Sequence, residues 1–276
     1  MYEEGKMSED NIILERKGSI SIITLDRPKR LHAFNDVMFN MLESVAARLR
    51  ESLPRCIIIT GSGDRSFSAG FDVQLDNHMV KRIVDAVSAK DIAPAREAIT
   101  RIRRAVDAFV TLPVPIIAAL NGDAFGGGAE LATRCDLRVM ARHAVICFSE
   151  TRLGLMSDWG GGAALARLIG ASRAADLLLT ARKVLSDEAL SMGLVNRVVD
   201  TGTALDEAIK IANLIAQNGP HAVRHVLALV RNSRNISYES SLEEEAERAI
   251  SLIASGECFH GVSAFLEKRK PEFPDA

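Results

Sequence analysis

Apolar and polar positions change period several times along the chain, and each change marks an element. After Asn11, IILERKGSISIITLDRP forms two strand-like runs about Lys17-Gly18, with Ile20, Ile22 and Thr24 alternating against Ser19, Ser21 and Ile23. That pattern predicts an antiparallel hairpin. Asn35 then stands where a helix N-cap belongs, ahead of Met38, Met41, Leu42, Val45 and Leu49 at helical spacing. Pro54 closes that helix, and Cys56 to Thr60 is a continuous apolar run, as in a strand covered on both faces. A second round follows: a helix over Ala95 to Val110 with Pro94 in its first turn, a strand over Ile116 to Leu120, and Asn121-Gly122 turning into FGGGAELA. Ala144 to Phe148 is again strand-like. Strands alternating with helices predict an α/β core. Beyond about Gly170 the pattern becomes helix upon helix, ending in the acidic LEEEAERAISLIA. Gln74 to Asp91 is polar, mixed in charge and weakly periodic, and is expected to be a mobile loop.

Composition narrows the class. The chain has 276 residues, 47% of them hydrophobic and 25% charged, enough to bury a substantial core. Lys and Arg number 34 against 36 Asp and Glu, a net charge of -2, which gives no basic footprint for nucleic acid or an anionic membrane. Cys56, Cys135, Cys147 and Cys258 form no CxxC pair and are expected to be reduced thiols. The polar, acidic MYEEGKMSED and the absence of any apolar run near ~18 residues point to a soluble, cytoplasmic protein.

Three features carry candidate chemistry. Gly61 to Ser66 half matches a dinucleotide fingerprint but lacks its third glycine, so NAD is not expected. Ser68-Ala69-Gly70-Phe71-Asp72 lies beyond one buried strand and Gly126-Gly127-Gly128-Ala129-Glu130 beyond the next. Turns of small residues let a ligand approach the backbone, and a glycine run opening a helix leaves unpaired N–H groups, so two such groups could hold one oxyanion. The plainer alternative is two tight connections with packed glycines. The third feature is carboxylates: Glu130 in the first turn of the glycine-led helix, Glu150 after a strand, and Asp158 in SDWGGG. Acid and base catalysis need two proton-transfer groups on one substrate. Each acid alone could equally be a helix-start or surface group.

RPKRLHAFN, IIITGSGDRSFSAGFDV, PIIAALNGDAFGGGAELATRCDLRV, ETRLGLMSDWGGGAALARLIG and GVSAFLEKRKPEF, in that order, closely resemble the crotonase superfamily, the enoyl-CoA hydratase/isomerase family. The resemblance spans nearly the whole chain. It implies a ββα spiral core over 1–200 and a C-terminal helical region over 201–276 that packs on the core and on neighbouring subunits of a homotrimer or homohexamer. It implies an oxyanion hole from the backbone N–H groups of Phe71 and Gly127, and catalytic roles for Glu130 and Glu150. Lys29, Arg30, Leu31 and Ala33 are then expected beside the CoA nucleotide and pantetheine, with Ala69, Asp72 and Val73 flanking the thioester. Phe265 and Lys268 match a region that can contact CoA from a neighbouring subunit.

Both glutamates together favour addition of water to a trans-2-enoyl-CoA, with no cofactor beyond the CoA thioester itself. At Ser157-Asp158-Trp159 hydratases of the family usually have proline and glycine, and Asp158 opens Δ3,Δ2-isomerisation or another acyl-CoA chemistry as the alternative. Trp159 is expected to be a packed aromatic. A noncatalytic acyl-CoA-binding protein is the rival of another class. His32 and His78 lack metal-ligand spacing, so no metal is expected; His32 is read as a loop residue.

Overall fold

The computed structural model describes residues 6–9, 11–233 and 235–274. After a short strand, β1 (Lys6–Glu9), the hairpin β2 (Ile12–Lys17) and β3 (Ile20–Leu25) closes through a two-residue turn opened by Gly18 at φ +59. Helix α1 (Asp36–Glu51) follows, its first turn capped by Asn35 Oδ1, which accepts the Met38 N–H at 3.1 Å. Strands β4 (Cys56–Gly61) and β5 (Ser66–Ser68) lead to α2 (His78–Ala89) and α3 (Ala93–Val110). The pattern repeats in β6 (Ile116–Leu120), β7 (Asp123–Phe125) and α4 (Gly127–Arg134), and again in β8 (Leu137–Ala141), β9 (Val145–Cys147), α5 (Gly161–Ile169) and α6 (Ala171–Thr180). Next come β10 (Val184–Leu185), α7 (Ser186–Ser191), β11 (Arg197–Val199) and α8 (Ala204–Ala216). The chain finishes in α9 (Pro220–Asn232), α10 (Tyr238–Ala254) and α11 (Glu257–Leu266).

In the pairs β4–β5, β6–β7 and β8–β9 the two strands go to different sheets. The first strand of each pair joins β1, β2, β3 and β11 in a seven-stranded sheet in the order β1-β2-β3-β4-β6-β8-β11, parallel from β3 onward. The second joins β10 in a four-stranded sheet in the order β10-β9-β7-β5. Because β4 and β6 are central, every residue of both is buried, as a strand covered on both faces requires. Helix α8 lies across β3, β4, β6 and β8 and belongs to that covering layer.

Both faces of β3 are covered, Ser21 and Ile23 being buried as well as Ile20 and Ile22. Two expectations change. The segment Gln74 to Asp91 contains α2, capped by Asn77 and held by Met79 and Ala86, with half-buried Ile83 between them. Val84 and Val87 face outward and Val80 is only half-buried, which is why the pattern reads as weak. The stretch after Gly170 is not purely helical, since β10 and β11 extend the two sheets. Among the described residues no single helix is long and apolar enough to cross a membrane.

Candidate active site

Two loops meet beyond the ends of β3 and β5. The first, Asp26 to Phe34, includes a single 3-10 turn over Pro28–Arg30 and turns back with Leu31 and His32 in the left-handed region. The second, Ala69 to Asp72, pairs with it: Ala69 N–H donates to Leu31 O (2.9 Å), Phe34 N–H to Gly70 O (2.7 Å) and Asp72 N–H to Phe34 O (2.9 Å). Gly70 has φ +84, and a Cβ there would lie 2.6 Å from Gly127 N and 2.8 Å from Phe125 O. Only glycine permits that contact, which brings the Phe71 turn against the start of α4. Both small-residue turns therefore share one site. Gly127 opens α4, so its N–H has no intrahelical acceptor. The Phe71 N–H, on the outer side of the Phe34 bridge, has no acceptor among the described residues.

Helix α4 carries Glu130 inward, fully buried. Its Oε1 accepts Asp158 N–H (3.1 Å), and its Oε2 accepts Trp159 N–H (3.1 Å) and Gly161 N–H (2.7 Å). The loop entering α5 is thus wrapped around one carboxylate. Trp159 is buried beneath Gly127, edge-on to Phe34 and Phe39 with ring centroids 5.2 Å away in each case, and is the packed aromatic expected. At the other end of α4 the buried Arg138 guanidinium donates to Cys135 O (2.6 Å) and Leu194 O (2.7 Å), placing a cation at the negative end of the helix.

Glu150 starts a 3-10 turn after β9, and both its carboxyl oxygens are shielded from solvent with no hydrogen-bond partner among the described residues. A Cβ on Gly126 would sit 3.6 Å from Glu150 Oε1, so this carboxyl borders the same glycine turn. Burial first, then the charge of Glu150, push Glu130 up to about 8, against the pull of its N–H donors. Burial also raises Glu150. The two carboxyls titrate together, and burial favours the protonated form of each. Asp158 is pushed up to about 6 by burial and by Glu150, with Arg103 opposing. Two unpaired backbone donors beside a carboxyl pair can stabilise an enolate oxygen and move protons at the carbons next to it.

Residues 15–276 match the family described as enoyl-CoA hydratase/isomerase. A crotonyl-CoA hydratase of Syntrophomonas wolfei is 35% identical, across 97% of this chain and 99% of that protein. A short-chain-enoyl-CoA hydratase of Clostridium acetobutylicum is 33% identical, across 96% and 98%. The crystal structure of an enoyl-CoA hydratase from Bacillus anthracis superposes with a TM-score of 0.87 at 32% identity, covering 96% of this chain and 99% of that one. The chain belongs to the enoyl-CoA hydratase/isomerase family.

The ββα core and C-terminal helices are thus the crotonase fold expected from the sequence motifs. The other residues singled out from those motifs take varied positions in this family member. Lys29 is exposed, Arg30 pairs with Asp76 (2.6 Å), and Leu31 and Ala33 present their carbonyls to Ala69 N–H and Arg27 Nη1. Ala69 and exposed Val73 bracket the Phe71 turn, while the Asp72 carboxylate is turned to Arg27 Nη1 at 2.6 Å. Phe265 and Lys268 lie exposed on and just after α11, which packs on α10. Among the described residues no hydrogen bond or ion pair joins them to the site.

His32 lies in the loop, as expected, and is tied into it by its side chain. It is buried, its Nδ1 accepts Arg27 N–H (2.9 Å), and its Nε2 lies 3.1 Å from Ser62 O, which fixes the neutral Nε2–H tautomer. Burial holds its pKa below the usual imidazole value. Ser68 and Asn121 also escaped sequence reasoning. Ser68 Oγ donates to His32 O (2.9 Å) and accepts Gly70 N–H (3.1 Å). Asn121 ties β4 to the turn after it, accepting Gly61 N–H (2.9 Å) and donating to Gly63 O (2.9 Å) and Ser66 O (3.0 Å). Their only sequence signal is proximity to the glycine turns.

Proposed function

We propose that the protein adds water across the double bond of a trans-2-enoyl-CoA to give the 3-hydroxyacyl-CoA. The observation that carries this reading is the pair Glu130 and Glu150, buried together beside the free N–H groups of Phe71 and Gly127. The thioester oxygen takes both N–H bonds, which gain strength as it becomes an enolate oxygen; each donor is worth roughly 3 to 4 kcal/mol. Glu130, in the ionised form that its three N–H donors stabilise against burial and the charge of Glu150, takes a proton from the water whose oxygen attacks the β-carbon. Glu150 delivers its proton to the α-carbon as the enolate collapses, leaving the pair with the same number of protons. No cofactor enters beyond the CoA ester that is the substrate. The hydratase names of the relatives above support the same reaction.

A second reading rests on Asp158. A third acid, half-buried and pushed up to about 6, suits a proton shuttle between the α- and γ-carbons of a 3-enoyl-CoA. A binder without turnover is disfavoured, because two buried, unpartnered carboxyl oxygens are costly where no chemistry uses them.

For the whole protein we extend the proposal to a homotrimer or homohexamer in the cytoplasm. Outward-facing Ile250, Ile253, Phe259, Val262 and Phe265 on α10 and α11 support the assembly, and four free cysteines support a reducing compartment. The catalytic assignment is tested by Glu150→Gln, for which kcat on crotonyl-CoA should fall by about 10²- to 10⁴-fold with little change in KM. Full turnover by the variant would remove Glu150 from the proton transfer.

A further inference from the structure

We infer that Arg27 is a positioning residue for the oxyanion hole, acting through two peptide units on the Phe71 N–H. The inference rests on the hydratase reading and names the group that aims one of its donors.

The relay runs through planar peptides. Arg27 Nη1 donates to Ala33 O (2.9 Å), and the same peptide unit carries the Phe34 N–H, which donates to Gly70 O at 2.7 Å. The Gly70 carbonyl belongs in turn to the peptide unit that carries the Phe71 N–H. A trans peptide points its C=O and N–H in opposite directions, so a carbonyl held towards Phe34 aims the Phe71 N–H away from Phe34. A guanidinium charge at the head of such a chain also polarises each successive N–H, making the last a better donor to a developing oxyanion.

The far side of the turn is clamped by the same guanidinium. Arg27 Nη1 lies 2.6 Å from Asp72 Oδ2, with Asp72 only 3% exposed. Asp72 Oδ1 accepts Gln74 N–H (3.2 Å) and Asp72 O accepts Asn77 Nδ2 (2.6 Å). Of the four amides from Ala69 to Asp72, those of Ala69, Gly70 and Asp72 are spent on Leu31 O, Ser68 Oγ and Phe34 O. The one left over is Phe71. His32 holds Arg27 at its backbone, accepting the Arg27 N–H, so the residue is anchored at both ends.

The test compares the parent protein with Arg27→Met, Arg27→Lys and the double variant Arg27→Met/Asp72→Asn, which leaves no unpaired buried carboxylate. Three quantities are read: kcat and KM on crotonyl-CoA, melting temperature, and the red shift of 4-(dimethylamino)cinnamoyl-CoA on binding. That last band reports polarisation of the bound thioester carbonyl. Arg27→Met and the double variant should lose about 10- to 100-fold in kcat, as a misplaced catalytic group does, with KM changed less than about threefold. The red shift per bound ligand should shrink in both, and Arg27→Lys should recover part of each loss. A full red shift in the folded double variant, or kcat falling only in step with the fraction of folded protein, would overturn the inference and leave the hydratase reading standing. A parent protein that neither shifts the probe nor hydrates crotonyl-CoA would overturn both.

Discussion

Glu130 shows how one residue can be legible by position and opaque in its setting. Its place four residues into a glycine-led helix is visible in the sequence, and so is the pairing with Glu150 and Asp158. What the sequence does not show is that the backbone of Asp158, Trp159 and Gly161 closes around its carboxylate, because that contact joins segments about thirty residues apart. The consequence is a pH prediction. Ionised Asp158 is a like charge near Glu130 and helps to raise its pKa. Asp158→Asn removes that charge, so ionised Glu130 becomes easier to form and its pKa falls. The acid limb of kcat/KM for crotonyl-CoA, which follows loss of a proton from the carboxyl pair, should therefore move to lower pH in the variant. An unmoved limb would separate Asp158 electrostatically from the pair. Arg27 illustrates the opposite case: it opens the RPKRLHAFN motif, yet nothing in that motif shows its contact with a partner forty-five positions away.

Among the elements, long periodic helices and apolar strands were readable, while short or thinly packed ones were not. Strands β5, β7 and β11 have three residues each, too few for any period to register. Helix α2 has twelve residues but buries only two side chains fully, so its helical spacing is diluted by outward-facing valines. The expectation of mobility there has an energetic counterpart even though the loop is a helix. With so little apolar surface covered, α2 should open locally at a lower free energy than α1, which buries seven side chains. Amide hydrogen exchange should show α2 exchanging well before α1 and α3. Equal protection in the three helices would mean that another surface covers α2.

For the whole molecule, the alternation of strand and helix reveals the fold class, but not the division of the pairs β4–β5, β6–β7 and β8–β9 between two sheets. That division places the glycine turns after β5 and β7 side by side, and with them the two proposed oxyanion donors. The C-terminal helices pose the complementary problem: Phe265 is 82% exposed and Ile253 66% exposed, large apolar surfaces for an isolated chain. Sedimentation velocity should give a trimer or hexamer, and Ile253→Glu together with Phe259→Glu should shift it to monomer. A parent protein that sediments as a monomer would contradict that assembly.

The chemistry assigned to Glu130 and Glu150 requires that water is added. The direct measurement is incubation of the purified protein with crotonyl-CoA, and separately with a 3-enoyl-CoA, in heavy-oxygen water, with products followed by liquid chromatography and mass spectrometry. Hydration by Glu130 and Glu150 predicts a 3-hydroxyacyl-CoA that carries the heavy oxygen. Conversion of the 3-enoyl ester to the 2-enoyl ester with no oxygen uptake from either substrate would contradict it and transfer the chemistry to Asp158.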